Sequence, residues 1–172
     1  MRILVLGAGK MGSFFTDLLS FNHEVAVYEA DPKRLRFIYN ALRFTSMDEV
    51  DGFAPEMVIN CVTLNRTFDA FRDVIPHLKR DCILADIASV KTGLEEFYRE
   101  SGFRFVSVHP MFGPTFANLG SLQTENAIII EESDHLGKVF FKDLFSSLNL
   151  NICEYTFEGH DEVVAYSLSI PF

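Results

Sequence analysis

The sequence predicts an α/β domain with a doubly wound, mostly parallel sheet. Three observations carry that expectation. Short, continuously apolar runs recur along the chain, as in strands that are buried on both faces. Amphipathic stretches of helical length lie between them, so strand and helix alternate at short spacing. The first apolar run ends in the glycine turn GAGKMG, which leads straight into the first amphipathic stretch.

A strand at 3–6 and a helix at 11–19, with Phe14, Phe15, Leu18 and Leu19 towards the sheet, precede a turn at 21–23 and a strand at 25–28. Asp31-Pro32 opens another helix, since proline is tolerated in a first turn, and Leu35, Ile38 and Leu42 form its inner face. A short strand near 43–45 leads to a helix capped by Ser46, with Glu49 three residues later in capping-box position. Strands are expected at 57–62, 82–87, 103–108, 127–130 and 152–155, and helices at 67–78, 92–100 and 136–148. A loop at 111–123 is rich in Gly, Pro, Asn and Ser. The last segment, GHDEVVAYSLSIPF, begins as a helix. Its Val163, Val164, Tyr166, Leu168 and Ile170 spread beyond one narrow stripe, which predicts packing on a further region of a longer polypeptide.

A chain of 172 residues suits one cooperative domain, and 48% hydrophobic with 23% charged residues is a globular composition. Phe is frequent and Trp absent, and some of the rings are expected to face a partner domain or subunit. The formal charge of -9 argues against nucleic acid or an anionic membrane surface as the main partner. No apolar run approaches the roughly 20 residues of a membrane span. Met1 runs directly into the first strand, leaving no room for a signal peptide, so the expected location is the cytoplasm. Cys61, Cys82 and Cys153 lie in or beside apolar segments without paired spacing, and are read as buried thiols in a reducing compartment. His23, His77, His135 and His160 have no metal-ligand spacing; no metal is expected, and most of them read as surface or capping residues.

Gly7-x-Gly9-x-x-Gly12 follows a strand and opens a helix, which is the context of a dinucleotide-binding, Rossmann-type turn. Gly7 allows the tight turn, Gly9 lets the backbone approach a pyrophosphate, and Gly12 permits close helix packing. The helix N-terminus offers N–H groups and a favourable dipole to the phosphates. Gly7, Ala8, Gly9, Lys10, Met11 and Gly12 are therefore the expected cofactor-binding turn. Glu29 ends the second strand about 20 residues beyond it, where a carboxylate bonds ribose hydroxyls and repels a 2′-phosphate. This favours NAD, while Asp31, Lys33 and Arg34 keep NADP open.

Ligands in this architecture gather at the C-terminal ends of the strands, here CVTLN, DIASVK and VHPMFGP. His109, Ser89 and Lys91 are the polar residues expected around a nicotinamide. His109 suits proton transfer from a hydroxyl that loses hydride, and equally suits a structural turn before Pro110. Ser89 orients a substrate or caps the next helix. Lys91 binds a carboxylate or is simply solvated.

GAGKMG, DIASVK (86–91), VHPMFGP (108–114) and GHDEVVAY (159–166), in this order, resemble the prephenate and arogenate dehydrogenase family of tyrosine biosynthesis. HPMFGP beside SVK is the most specific part of the likeness. The resemblance implies an NAD- or NADP-dependent oxidative decarboxylase of prephenate or arogenate, with His109 as the catalytic histidine on the ring hydroxyl and Ser89 beside it. It places Lys91 and His160 at the substrate or behind the catalytic residues. It also implies a domain division, with 1–158 binding the dinucleotide and 159–172 beginning a truncated helical domain. That domain would form the homodimer and supply arginines to the substrate, so this chain alone is expected to turn over weakly or not at all. Another NAD(P)-dependent reductase, of hydroxyacids or imines, and a non-catalytic nucleotide sensor are the alternatives.

Overall fold

The computed structural model describes residues 1–112 and 125–169, with side chains to 166. Residues 113–124, with Gly113, Pro114 and most of the expected loop, lie outside the described residues, as do Ile170 and the side chain of Leu168. The chain divides into two compact units, Met1–Asp86 and Ile87–Phe172.

In the first unit, β1 (Arg2–Leu6), β2 (Glu24–Tyr28), β3 (Leu42–Phe44), β4 (Met57–Asn60) and β5 (Ile83–Asp86) are all parallel, in the order β3-β2-β1-β4-β5. This is the order of a Rossmann-type sheet on the side that binds the dinucleotide. Ile3, Leu4, Val5, Met57, Val58 and Ile59 are buried, as central strands covered on both faces require. Helix α1 (Lys10–Leu19) turns Phe15, Thr16 and Leu19 inward, with Phe14 and Leu18 half-buried. Helix α2 (Asp48–Phe53) has the expected box at its start: Ser46 Oγ accepts from the Asp48 N–H, and Glu49 Oε2 accepts from the N–H groups of Thr45 and Ser46. Helix α3 (Thr67–Val74) ends in a 3₁₀ turn at Ile75–His77.

The helix expected after Pro32 is a short 3₁₀ turn, Pro32–Phe37, which the Asp31 side chain caps by accepting from the Lys33 N–H. Leu35 and Ile38 are buried as expected. Leu42 is 49% exposed, because the chain has by then become the edge strand β3, whose side chains alternate between faces.

The second unit holds β6 (Phe105–Met111), β7 (Asn126–Ile130) and β8 (Asn151–Tyr155), with β6 antiparallel and β8 parallel to β7. Helix α4 (Leu94–Ser101) supplies Tyr98, whose ring stacks on Phe105 at 4.3 Å between centroids. Helix α5 (His135–Ser147) is capped by Asp134, which accepts from the Leu136 N–H, and buries Gly137, Phe141 and Phe145. Helix α6 (Phe157–Ser169) begins two residues before the GHD sequence. Its first turn is held at two points: the Glu132 carboxylate accepts from the Phe157 N–H, and Thr156 Oγ1 accepts from the Gly159 N–H. Val163 and Val164 are half-buried and Tyr166 is exposed.

Cys61 and Cys82 are buried as expected, but Cys153 is exposed. It sits on β8, which pairs with β7 and leaves Asn151, Cys153 and Glu154 outward. Glu154 on the same strand lies with Oε1 2.7 Å from the Nζ of Lys142 on α5, and that hydrogen bond holds the Glu154 carboxyl below its ordinary range.

At Gly137, α5 meets β6 so closely that a Cβ would lie 2.6 Å from the Val106 Cβ. Gly137→Ala should therefore lower stability by about 1–3 kcal/mol despite its better helix propensity. Adding Val106→Ala should recover part of the loss. Urea unfolding measures both; a Gly137→Ala protein as stable as its parent would show that the helix can simply move away.

Candidate functional site

Gly7 sits at φ +96°, in the region that disfavours side chains, and its N–H donates to the Tyr28 carbonyl at 2.9 Å. At Gly12 a Cβ would fall within contact distance of the Gly7 carbonyl, so the first turn of α1 closes against the end of β1 only with glycine there. Gly9 differs from both. It is the N-cap of α1 in extended backbone (φ −74°, ψ −167°), and a Cβ on it would meet nothing within 4 Å. Neither backbone strain nor internal packing calls for glycine at this position. The bare backbone here, with α1's uncapped N-terminus beside it, leaves a surface open to a group outside the chain.

A cleft of about 490 Å³ opens at these strand ends. Gly7, Gly9, Glu29, Arg34, Val62 and Arg66 are among the residues lining it. Glu29 ties two backbone segments together: its Oε2 accepts from the Ala8 N–H at 2.8 Å and its Oε1 from the Asp31 N–H at 3.2 Å. Of the other turn residues, Lys10 is exposed and Met11 half-buried in the first turn of α1. Asn60, buried at the end of β4, donates from Nδ2 to the Thr67 carbonyl at 2.9 Å and so steadies the 61–67 loop that carries Arg66. Sequence reasoning marked this strand end but missed Arg66 and Asn60, whose roles depend on how the loop folds back. The volume, the open face at Gly9, the helix N-terminus and the carboxylate at the end of β2 together fit NAD(P).

In the second unit, His109 lies near the end of β6, with its Nδ1 2.9 Å from His160 Nε2. His160 is fully buried, and its Nδ1 lies 3.2 Å from Asp161 Oδ1. His160 is therefore neither a surface nor a capping histidine. Lys91 is 2% exposed, which overturns its reading as a solvated residue: its Nζ donates to the Val108 carbonyl at 2.6 Å, one residue before His109. A buried ammonium needs such partners, and here the bond fixes the strand that presents the histidine. Ser89 is exposed in the turn after β5, and among the described residues it is not hydrogen-bonded to His109. The fold also places Asp48, Asp51 and His77 together, with ligand atoms within 4.8 Å of one another, and His77 Nδ1 stands 3.1 Å from Asp51 Oδ2. No helix among the described residues is long and apolar enough to cross a membrane.

A family model described as the nucleotide-binding domain of prephenate dehydrogenase matches residues 20–138, a span that includes Glu29, Ser89, Lys91 and His109. A probable arogenate/prephenate dehydrogenase of Methanocaldococcus jannaschii is 31% identical over 111 residues, the match covering 62% of this chain and 24% of that protein. Among solved structures, arogenate dehydrogenase of Synechocystis superposes with a TM-score of 0.80 at 20% identity, over 97% of this chain and 64% of that one. Prephenate dehydrogenase of A. aeolicus, in complex with hydroxyphenyl propionate and NAD+, also gives 0.80 at 21% identity, over 98% and 68%. The chain thus spans about a quarter of its curated relative and under two thirds of the Synechocystis structure.

Cys61 lines the cleft, and burial pushes its thiol well above the ordinary range. In the native protein a maleimide should modify Cys153 at least about tenfold faster than Cys61 or Cys82. Peptide mapping of the labelled sites reads this directly, and equal labelling of Cys61 would contradict its burial.

Proposed function

We propose, since the chain belongs to the family of prephenate dehydrogenase nucleotide-binding domains, that it forms part of an NAD-dependent dehydrogenase that oxidatively decarboxylates prephenate or arogenate. The family match across the span that carries His109 is the observation that most supports this reading. Glu29 in the cleft lining at the end of β2 supports NAD, and Arg34 in the same lining keeps NADP as the second choice.

The bound nicotinamide supplies the hydride acceptor. The chain's own residues then have separable tasks. The glycine turn and α1 hold the pyrophosphate. His109 takes the proton of the ring hydroxyl as that carbon gives up hydride, so that the oxygen becomes a carbonyl. Carbon dioxide leaves with cleavage of the ring–carboxylate bond; the electrons of that bond restore aromaticity, and the former carbonyl oxygen, now a phenolate, takes back a proton. Ser89 assists at the hydroxyl, and Lys91 holds the strand end that carries His109.

The same reading places the dinucleotide-binding domain at 1–158 and starts a helical dimerisation domain at 159–172, with cations for the substrate carboxylates supplied from beyond this segment. The site works in the cytoplasm. A glycine turn and a doubly wound sheet serve many reductases, so the fold does not separate this reading from another small-molecule reductase.

The test is formation of reduced cofactor by the full-length protein, with NAD and each of the two acids in turn. Substrate-dependent turnover is expected, and His109→Asn should lower kcat by about 10²- to 10⁴-fold while leaving nucleotide affinity in place. Nucleotide binding without turnover of either acid would overturn the dehydrogenase reading.

A further inference from the structure

Three residues of the second unit form a chain of hydrogen bonds: Asp161 Oδ1 to His160 Nδ1 at 3.2 Å, and His160 Nε2 to His109 Nδ1 at 2.9 Å. The chain has a direction. A carboxylate oxygen only accepts, so His160 Nδ1 must carry the hydrogen. Complete burial favours the neutral His160 ring; its lone pair is then on Nε2, and the hydrogen shared with His109 belongs to His109 Nδ1. That leaves the lone pair of His109 on Nε2.

We infer that Asp161, acting through the buried His160, fixes the tautomer of His109 so that Nε2 is its proton-accepting atom. His160 and Asp161 are positioning residues in this scheme. They choose which nitrogen of His109 takes a proton, and this gives the base role proposed above, on which the functional part of the inference rests. The side chain of His160 is wholly buried, so its ring is held in place and the direction set at Asp161 is passed on. Asp161 is 43% exposed, so its contribution is the direction of the bond more than a field at His109. The capping of α6 by Thr156 and Glu132 sets the position of the whole arrangement, because His160 lies in the first turn of that helix and its N–H donates to the Thr156 carbonyl at 2.9 Å. When His109 has taken a proton at Nε2, its Nδ1–H still donates to His160, so the imidazolium forms without breaking the chain.

Free histidine prefers the opposite form, with hydrogen on Nε2, so the inference has a spectroscopic signature. In the ¹⁵N-labelled chain, long-range ¹H–¹⁵N correlation should report His109 and His160 both as Nδ1–H tautomers. The exposed His135 serves as the reference for the ordinary form. Asp161→Ala should move the pair several-fold towards Nε2–H, while Asp161→Glu should retain the Nδ1–H form. An Nε2–H form of His109 in the unaltered protein overturns the inference, with no need of any variant. An Asp161→Ala spectrum unchanged at both rings overturns the part assigned to Asp161. The measurement uses no substrate: Nδ1–H rings in a protein that turns over neither acid would support the tautomer assignment while removing the dehydrogenase reading.

Discussion

The first turn of α1 lies against the carbonyl of Gly7, and the nucleotide half of the molecule depends on that approach. It is possible only because Gly12 has no side chain to occupy the space. The same contact brings the start of α1 to the end of β1, so that the helix N–H groups, the Gly9 backbone and the end of β2 share one cleft. Glu29 then ties the turn to β2 by accepting from the Ala8 N–H. Three glycines thus serve three ends. Gly7 has a conformation that side chains avoid, Gly12 gives room inside the protein, and Gly9 leaves a surface bare.

The second unit reaches its geometry by different means. Its buried Lys91 and His160 are hydrogen-bonded to the strand that carries His109, as burial requires. Lys91 holds the strand just before His109, and His160 holds His109 itself. Both are placed by their surroundings: His160 by a helix whose first turn is capped from Thr156 and Glu132, and Lys91 by its burial beneath the strand end.

Much of this was legible in the sequence, because buried parallel strands are apolar throughout and the glycine turn has a fixed spacing. Each of the eight strands among the described residues overlaps an expected one, although β6 starts two residues later than its apolar run and continues to Met111. Even the short β3 and the Ser46–Glu49 box follow from local chemistry. Local signals failed where neighbours across the fold decide. Leu42 continues a helical stripe in sequence but falls on an edge strand, and Cys153 sits in an apolar segment yet faces outward from β8. The resemblance places Lys91 and His160 at the substrate or behind the catalytic residues, but nothing in the adjacent residues announces the Val108 carbonyl or the His109 ring that receives them. Gly137 stood unremarked for the same reason, since its partner Val106 is on another element. The glycine turn and His109 were found in the sequence; the direction of the hydrogen bonds behind His109 needed the structure.

The central claim is that the glycine turn is shaped for a dinucleotide, and Gly9 tests it most directly, because nothing inside the protein needs glycine at that position. Calorimetric titration of NAD into the parent and into Gly9→Ala, with unfolding curves for both, is the measurement. The account predicts a folded Gly9→Ala protein whose stability changes by about 1 kcal/mol or less, yet whose NAD affinity falls at least about tenfold. Parental affinity in that variant would contradict the claim that the bare backbone at Gly9 exists for the cofactor.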